Sequence, residues 1–180
     1  SDVMELEPVG HCLQNGLGER VDLESDYLYP LLKSSDIGNG RVQLNRKLVL
    51  ITQQFVGEGT GAISEKAPKT WRYLSEHRSY FEKRASSIYK NKPLFSIFGI
   101  GSYAFRKWKI AISGLYKKLN FMVVGPINNR PVIFDDTIYF LSFDSREEVE
   151  FIYKLISSYP AREFLESMIF WDEKRPITAE

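Results

Sequence analysis

Hydrophobic positions change their period twice along the chain. Residues 48–52, Leu-Val-Leu-Ile-Thr, form a short apolar run beside the basic Arg46 and Lys47 and predict a buried strand. The glycines of residues 57–61 then predict an exposed loop. After Pro68-Lys69-Thr70, the residues Trp71, Leu74, Arg78 and Phe81 recur at helical spacing. A helix ending near Arg84 or Ala85 is predicted, with Thr70 as its N-cap and Arg72, His77 and Lys83 turned away from the core. From Leu94 the period falls to two. Residues 94–98, 107–113, 121–124 and 137–143 read as strands, punctuated by Gly99, Gly101, Gly114 and an Asn128-Asn129 turn. Beyond Ser145 the helical period returns through Val149, Ile152, Tyr153, Leu155 and Ile156, with Asp144 or Ser145 as cap. A second short helix is predicted over 161–168. The expected class is α+β: a mostly antiparallel central sheet with flanking helices.

Composition narrows this picture. With 180 residues and 43% hydrophobic content, the chain can bury the core of one domain or of two small ones. No apolar run reaches the ~20 residues that span a bilayer, and the acidic N-terminus is unlike a signal peptide. Cys12 is the lone cysteine, which excludes an internal disulfide and agrees with a reducing, cytoplasmic setting. His11, Cys12 and His77 do not have metal-ligand spacing.

Charge changes the picture more. Residues 1–30 hold seven acids and one base, residues 66–118 two acids and thirteen bases, and residues 134–180 eleven acids and five bases. A basic block between acidic ends suits a polyanion, unless the ends fold back and neutralise it. Within the block, residues 92–118 carry no acid and interleave rings with bases. Such a stretch can neutralise phosphates and stack on bases.

Other motifs resolve to structural readings. Gly57, Gly59 and Gly61 lack a following lysine and hydroxyl, and Phe98-Gly99-Ile100-Gly101 lacks a predicted following helix, so neither is a phosphate cradle. No serine or cysteine nucleophile pairs with either histidine. Adjacent strand residues point oppositely, so Asp135-Asp136 reads as a turn rather than a metal pair. Asp172-Glu173-Lys174 lacks a second placed acid for a nuclease site. In Pro30 to Asp36, Leu31 and Leu32 read as core and Ser35-Asp36 as a turn or cap, although Lys33, Ser35 and Asp36 also suit phosphate and base contacts.

Taken in order, these segments resemble one family. Pro30-Leu31-Leu32-Lys33-Ser34-Ser35-Asp36-Ile37 is similar to the entry of the target-recognition region of adenine-specific DNA methyltransferases from bacterial restriction–modification systems, in its Taq-type form. Val56-Gly57-Glu58 with Thr60, Pro68-Lys69-Thr70-Trp71, Phe95-Ser96-Ile97-Phe98-Gly99, Lys109-Ile110-Ala111-Ile112-Ser113-Gly114, Asp135-Asp136-Thr137 and Lys174-Arg175-Pro176-Ile177-Thr178 continue it in order. The resemblance implies a DNA target-recognition domain over 29–180, with residues 1–28 connecting it to a separate catalytic domain. The opening on Ser1 rather than methionine is expected of an excised domain. The family's catalytic domain binds S-adenosylmethionine and methylates adenine N6 through an Asn/Asp-Pro-Pro-Tyr/Phe signature. This sequence has no Pro-Pro pair, so it is expected neither to hold the cofactor nor to methylate alone.

The expected partners are double-stranded DNA and that catalytic domain. Candidate DNA contacts are Lys33, Ser35, Lys90, Lys92, Tyr103, Arg106, Lys107, Lys109, Lys117 and Lys118. Strand alternation places Lys107 and Lys109 together on the DNA side and Trp108 in the core. Two alternatives stand beside this reading: the specificity domain of a fused endonuclease–methyltransferase, and a module for single-stranded nucleic acid or peptide.

Overall fold

The computed structural model describes residues 2–40, 47–173 and 176–177. Along them run strands β1 (Glu5–Val9), β2 (Cys12–Asn15), β3 (Arg20–Val21), β4 (Leu28–Leu32), β5 (Leu48–Leu50), β6 (Trp108–Ser113), β7 (Met122–Val124), β8 (Ile133–Phe134) and β9 (Ile138–Phe143). The helices are α1 (Ser34–Gly38), α2 (Ile63–Lys66), α3 (Pro68–Glu76), α4 (Arg78–Glu82), α5 (Ser102–Phe105), α6 (Arg146–Ile156) and α7 (Tyr159–Met168). The fold is α+β, as expected, and among the described residues every strand pairing is antiparallel except β4 with β8. The chain divides into two compact units, residues 1–30 with 45–103, and residues 31–44 with 104–180.

In the first unit, β3, β2, β1, β5 and the start of β4 lie side by side. The stretch expected as a connector, residues 1–28, thus supplies three strands and the start of a fourth. Leu6, Leu50, Leu74, Phe81 and Phe95 form the core beside the sheet. Phe95 meets Trp71 and Phe81 edge to face, with centroids 5.4 and 5.1 Å apart. The predicted helix is present, but it breaks at His77 into α3 and α4. Thr70 is not its cap. It lies inside the first turn, and Glu24 takes the cap role from a distance, accepting from Lys69 N at 2.9 Å, Thr70 N at 2.8 Å and Thr70 Oγ1 at 2.7 Å. His77 also departs from expectation. It is buried, with Nδ1 2.8 Å from Tyr73 O and Nε2 2.7 Å from Glu19 Oε2.

The strand predicted over 94–98 is absent. Its backbone groups pair with side chains instead of a neighbouring strand. Thr52 Oγ1 donates to Phe95 O at 2.6 Å, Ile97 N donates to Gln53 Oε1 at 3.1 Å, and Arg84 donates to Ser96 O. Alternating apolar residues there mark a loop pinned over the core.

In the second unit, the end of β4 runs parallel to β8, and β6 lies between β7 and β9. Leu32, Ile37, Ala111, Val124, Val132 and Ile138 form one core cluster; Ile112, Leu119 and Ile177 form another. Asn128 and Asn129 both have positive φ (49° and 60°), and Ile127 and Arg130 exchange two 2.9 Å backbone bonds around them. That is the predicted turn, in the mirror-image form that asparagine tolerates. Ser145 caps α6, its Oγ accepting from Glu148 N at 3.1 Å.

Candidate nucleic-acid interface

The entry segment is built around Ser34 and Asp135. Ser34 is buried, its hydroxyl against that of Ser113 and its N–H donating to Asp135 Oδ2 at 3.1 Å. The other Asp135 oxygen accepts from Thr137 N at 3.0 Å and Thr137 Oγ1 at 2.6 Å. Asp135 thereby ties the start of α1 to the turn before β9, the structural reading of the Asp-Asp pair. Asp36 accepts from Lys33 N at 2.8 Å and acts as a turn lock. Ser35 is left exposed and Lys33 half-buried at the head of α1. Among the described residues no group of three metal-ligating side chains converges. Lys174, Arg175 and Thr178 lie outside the described residues.

Lys90 and Lys92 are exposed on the segment that follows a short 3-10 turn (Ser87–Tyr89). Arg84 braces this segment. Its guanidinium lies 4.5 Å from the ring centroids of both Phe81 and Tyr89, and burial pushes its pKa down. Sequence reading missed this role, although an arginine among Phe81, Tyr89 and Phe95 was a usable signal. Tyr103 is 44% exposed, but its hydroxyl is spent on Gly99 O at 2.7 Å. Its ring covers Gly101, where an added Cβ would stand 2.7 Å from ring atom Cε1. A four-residue helix, α5, does follow Gly101, contrary to expectation. No strand precedes the glycines, however, and Tyr103 fills the space over Gly101. These residues therefore do not fit the phosphates of a nucleotide cofactor.

Arg106 and Lys107 are exposed just before β6. Arg106 reaches Ser142 O at 3.3 Å and Asp144 Oδ1 at 3.5 Å; Lys107 Nζ donates to Asn129 Oδ1 at 3.2 Å. Lys109 corrects the expectation of a shared DNA-facing side. It is 1% exposed, its Nζ donates to Arg106 O at 2.7 Å, and the rings of Phe134 and Phe140 lie about 6 Å away. Burial brings its pKa down to about 8. The reason is that β6 is a central strand buried throughout residues 109–113, so neither of its faces meets solvent there. Trp108, expected in the core, is half-buried, with Gly125 on one side and the Arg146 guanidinium 5.7 Å from its ring.

Lys117 and Lys118 are exposed beyond the far end of β6. Their loop rests on α1 through Tyr116, whose ring occupies the place that a Gly38 side chain would take. With Arg162 and Trp171 these lysines border an open recess of about 530 Å³. Of the ten candidate contacts, eight are exposed, Lys33 is half-buried, and Lys109 is inside.

No family model matches the chain. It is 50% identical over 177 residues, 98% of its length, to the type II methyltransferase M.NspV of Nostoc sp. (strain ATCC 29411 / PCC 7524). The chain spans 37% of the length of that relative. No described helix is long and apolar enough to cross a membrane.

Proposed function

We propose that this chain is the DNA target-recognition part of a type II, adenine-specific methyltransferase. It would hold duplex DNA while a separate domain, which binds S-adenosylmethionine, extracts and methylates the target adenine. The carrying observation is the 50% identity to M.NspV over almost the whole chain. The acid-free stretch 92–118, with its exposed bases, supplies the physical means.

Extraction of a base costs a few kcal/mol, and a body gripping the neighbouring phosphates helps to meet that cost. Lys90, Lys92, Arg106, Lys107, Lys117 and Lys118 would contact phosphates; Lys33, Ser35 and Tyr103 would address bases or backbone. Lys109 would act from inside, holding the Arg106 carbonyl and so the backbone that presents Arg106 and Lys107. In this reading residues 1–28 lead in from the catalytic domain and 29–180 carry recognition.

The test is duplex binding by Lys107→Glu plus Lys117→Glu. Both side chains are exposed, so folding is expected to persist. Affinity should fall at least tenfold at low salt, measured by fluorescence anisotropy on a labelled duplex. Wild-type affinity in the variant would remove the basic surface from the reading, and preference for single strands in competition would favour the single-strand alternative.

A further inference from the structure

The C-terminal helices carry more apolar surface than their own core uses. On α6, Val149, Ile152, Tyr153 and Ile156 turn inward; on α7 and just beyond, Ala161, Leu165 and Ile169 do so. Six other large side chains between residues 151 and 170 remain outside: Phe151, Leu155, Tyr159, Phe164, Met168 and Phe170. Their exposure runs from 50% at Leu155 to 78% at Phe170. Phe151 and Leu155 are four apart on α6, as are Phe164 and Met168 on α7, so each helix presents an outward apolar stripe. Exposed apolar groups clustered in this way mark protein interfaces.

Charge selects the kind of occupant. Residues 144–173 hold eight acids and three bases. Two of those bases are engaged on their own helices, Arg146 with Glu150 at 2.7 Å and Arg162 with Glu166 at 3.7 Å. This excess of negative charge repels phosphates, so the stripes do not suit DNA. A second copy is also disfavoured, because a two-fold interface sets the same acidic rim against itself. What fits is a protein surface with an apolar centre and a basic rim. More than half of M.NspV lies outside the stretch that this chain matches.

We propose that the outward stripes of α6 and α7 are a docking surface for such a body, carried by the part of a type II methyltransferase outside the matched stretch. This rests on the functional reading above. Hydroxyl-radical footprinting compares this chain with intact M.NspV, each scaled to its own unfolded state. Peptides aligned with residues 146–170 should be about tenfold better protected in intact M.NspV. Zero-length carbodiimide cross-linking of intact M.NspV should join carboxylates of that segment to lysines outside the matched stretch. Equal protection in the two proteins overturns the proposal, as does an absence of such cross-links. So does a wild-type chain that sediments as a dimer and becomes monomeric with Phe151→Ser plus Phe164→Ser. Duplex titration of the chain reads the functional proposal separately: loss of duplex binding with protection retained sinks recognition and leaves docking.

Discussion

Lys109 shows how one residue can reverse a pattern-based assignment. In the sequence it sits among bases and next to tryptophan, where alternation places it opposite the core. In the structure it is the buried support of the exposed Arg106 and Lys107 segment, bonded to the Arg106 carbonyl and facing two phenylalanines. Burial disfavours its charged form and sets its pKa at about 8, below the usual lysine value near 10.5. Between those two values the unfolded chain binds more protons than the folded one, so this site makes stability rise as pH rises through that window. Lys109→Met keeps the length of the side chain and removes the buried charge. The variant is expected to be at least as stable as wild type at pH 7, by about 1 kcal/mol or more. Its advantage should shrink between pH 8 and 10.5 as wild type sheds the proton. Urea unfolding across that range checks it, and an advantage that does not change with pH would count against the assignment. The same variant should weaken duplex binding by loosening the Arg106 carbonyl that Lys109 holds.

At the scale of elements, legibility followed the source of each hydrogen bond. α6 was readable because its cap is local: Ser145 and Glu148 lie three apart and bond each other. β6, β7, β9 and α7 were readable from their periods. α3 was readable as a helix but not in its cap, because Glu24 reaches it from 46 residues away. The loop at 94–98 was misread for the same reason, since Thr52, Gln53 and Arg84 satisfy it from elsewhere in the chain. The N-terminal strands passed unnoticed because residues 5–21 are acidic and only partly buried. Glu24 offers a clean test of a cap made at a distance. Burial alone would raise its pKa, but the bonds from Thr70 and Lys69 outweigh that and bring it to about 2. Its stabilisation is therefore fully present above pH 4.5 and lost as pH falls towards 2. Glu24→Ala should cost about 1 kcal/mol at pH 7, the ordinary worth of a helix cap. Thermal melts should show the two proteins converging as pH drops from 4.5 to 2. A difference that persists unchanged at pH 2 would mean that Glu24 matters through packing alone.

For the molecule as a whole, the decisive quantity is how its charges are partitioned, not their sum of +1. The acidic ends could cancel the basic block internally. Part of the N-terminal excess is spent before Lys90, on Lys47, which lies outside the block, and on Lys69 near its start: Glu7 pairs with Lys47 at 2.7 Å and Asp22 with Lys69 at 2.6 Å. Near the start of β6, Arg106 has Asp144 at 3.5 Å, a long and exposed pair of little energetic weight. In the second unit the exposed bases of the block, Arg106, Lys107, Lys117 and Lys118, bracket β6, a six-residue strand about 20 Å long. Charges that far apart match phosphates about six nucleotides apart along one strand of a duplex. If Lys90, Lys92, Arg106, Lys107, Lys117 and Lys118 each release one counterion, log K for duplex binding should fall with log salt at a slope of about −5. Lys107→Gln plus Lys117→Gln removes two of these contacts without adding repulsion and should flatten the slope by about 2. Anisotropy titrations between roughly 50 and 200 mM salt distinguish the outcomes. A wild-type slope near zero would mean that the acidic segments neutralise the block after all. An unchanged slope in the variant would place the phosphate contacts on other bases.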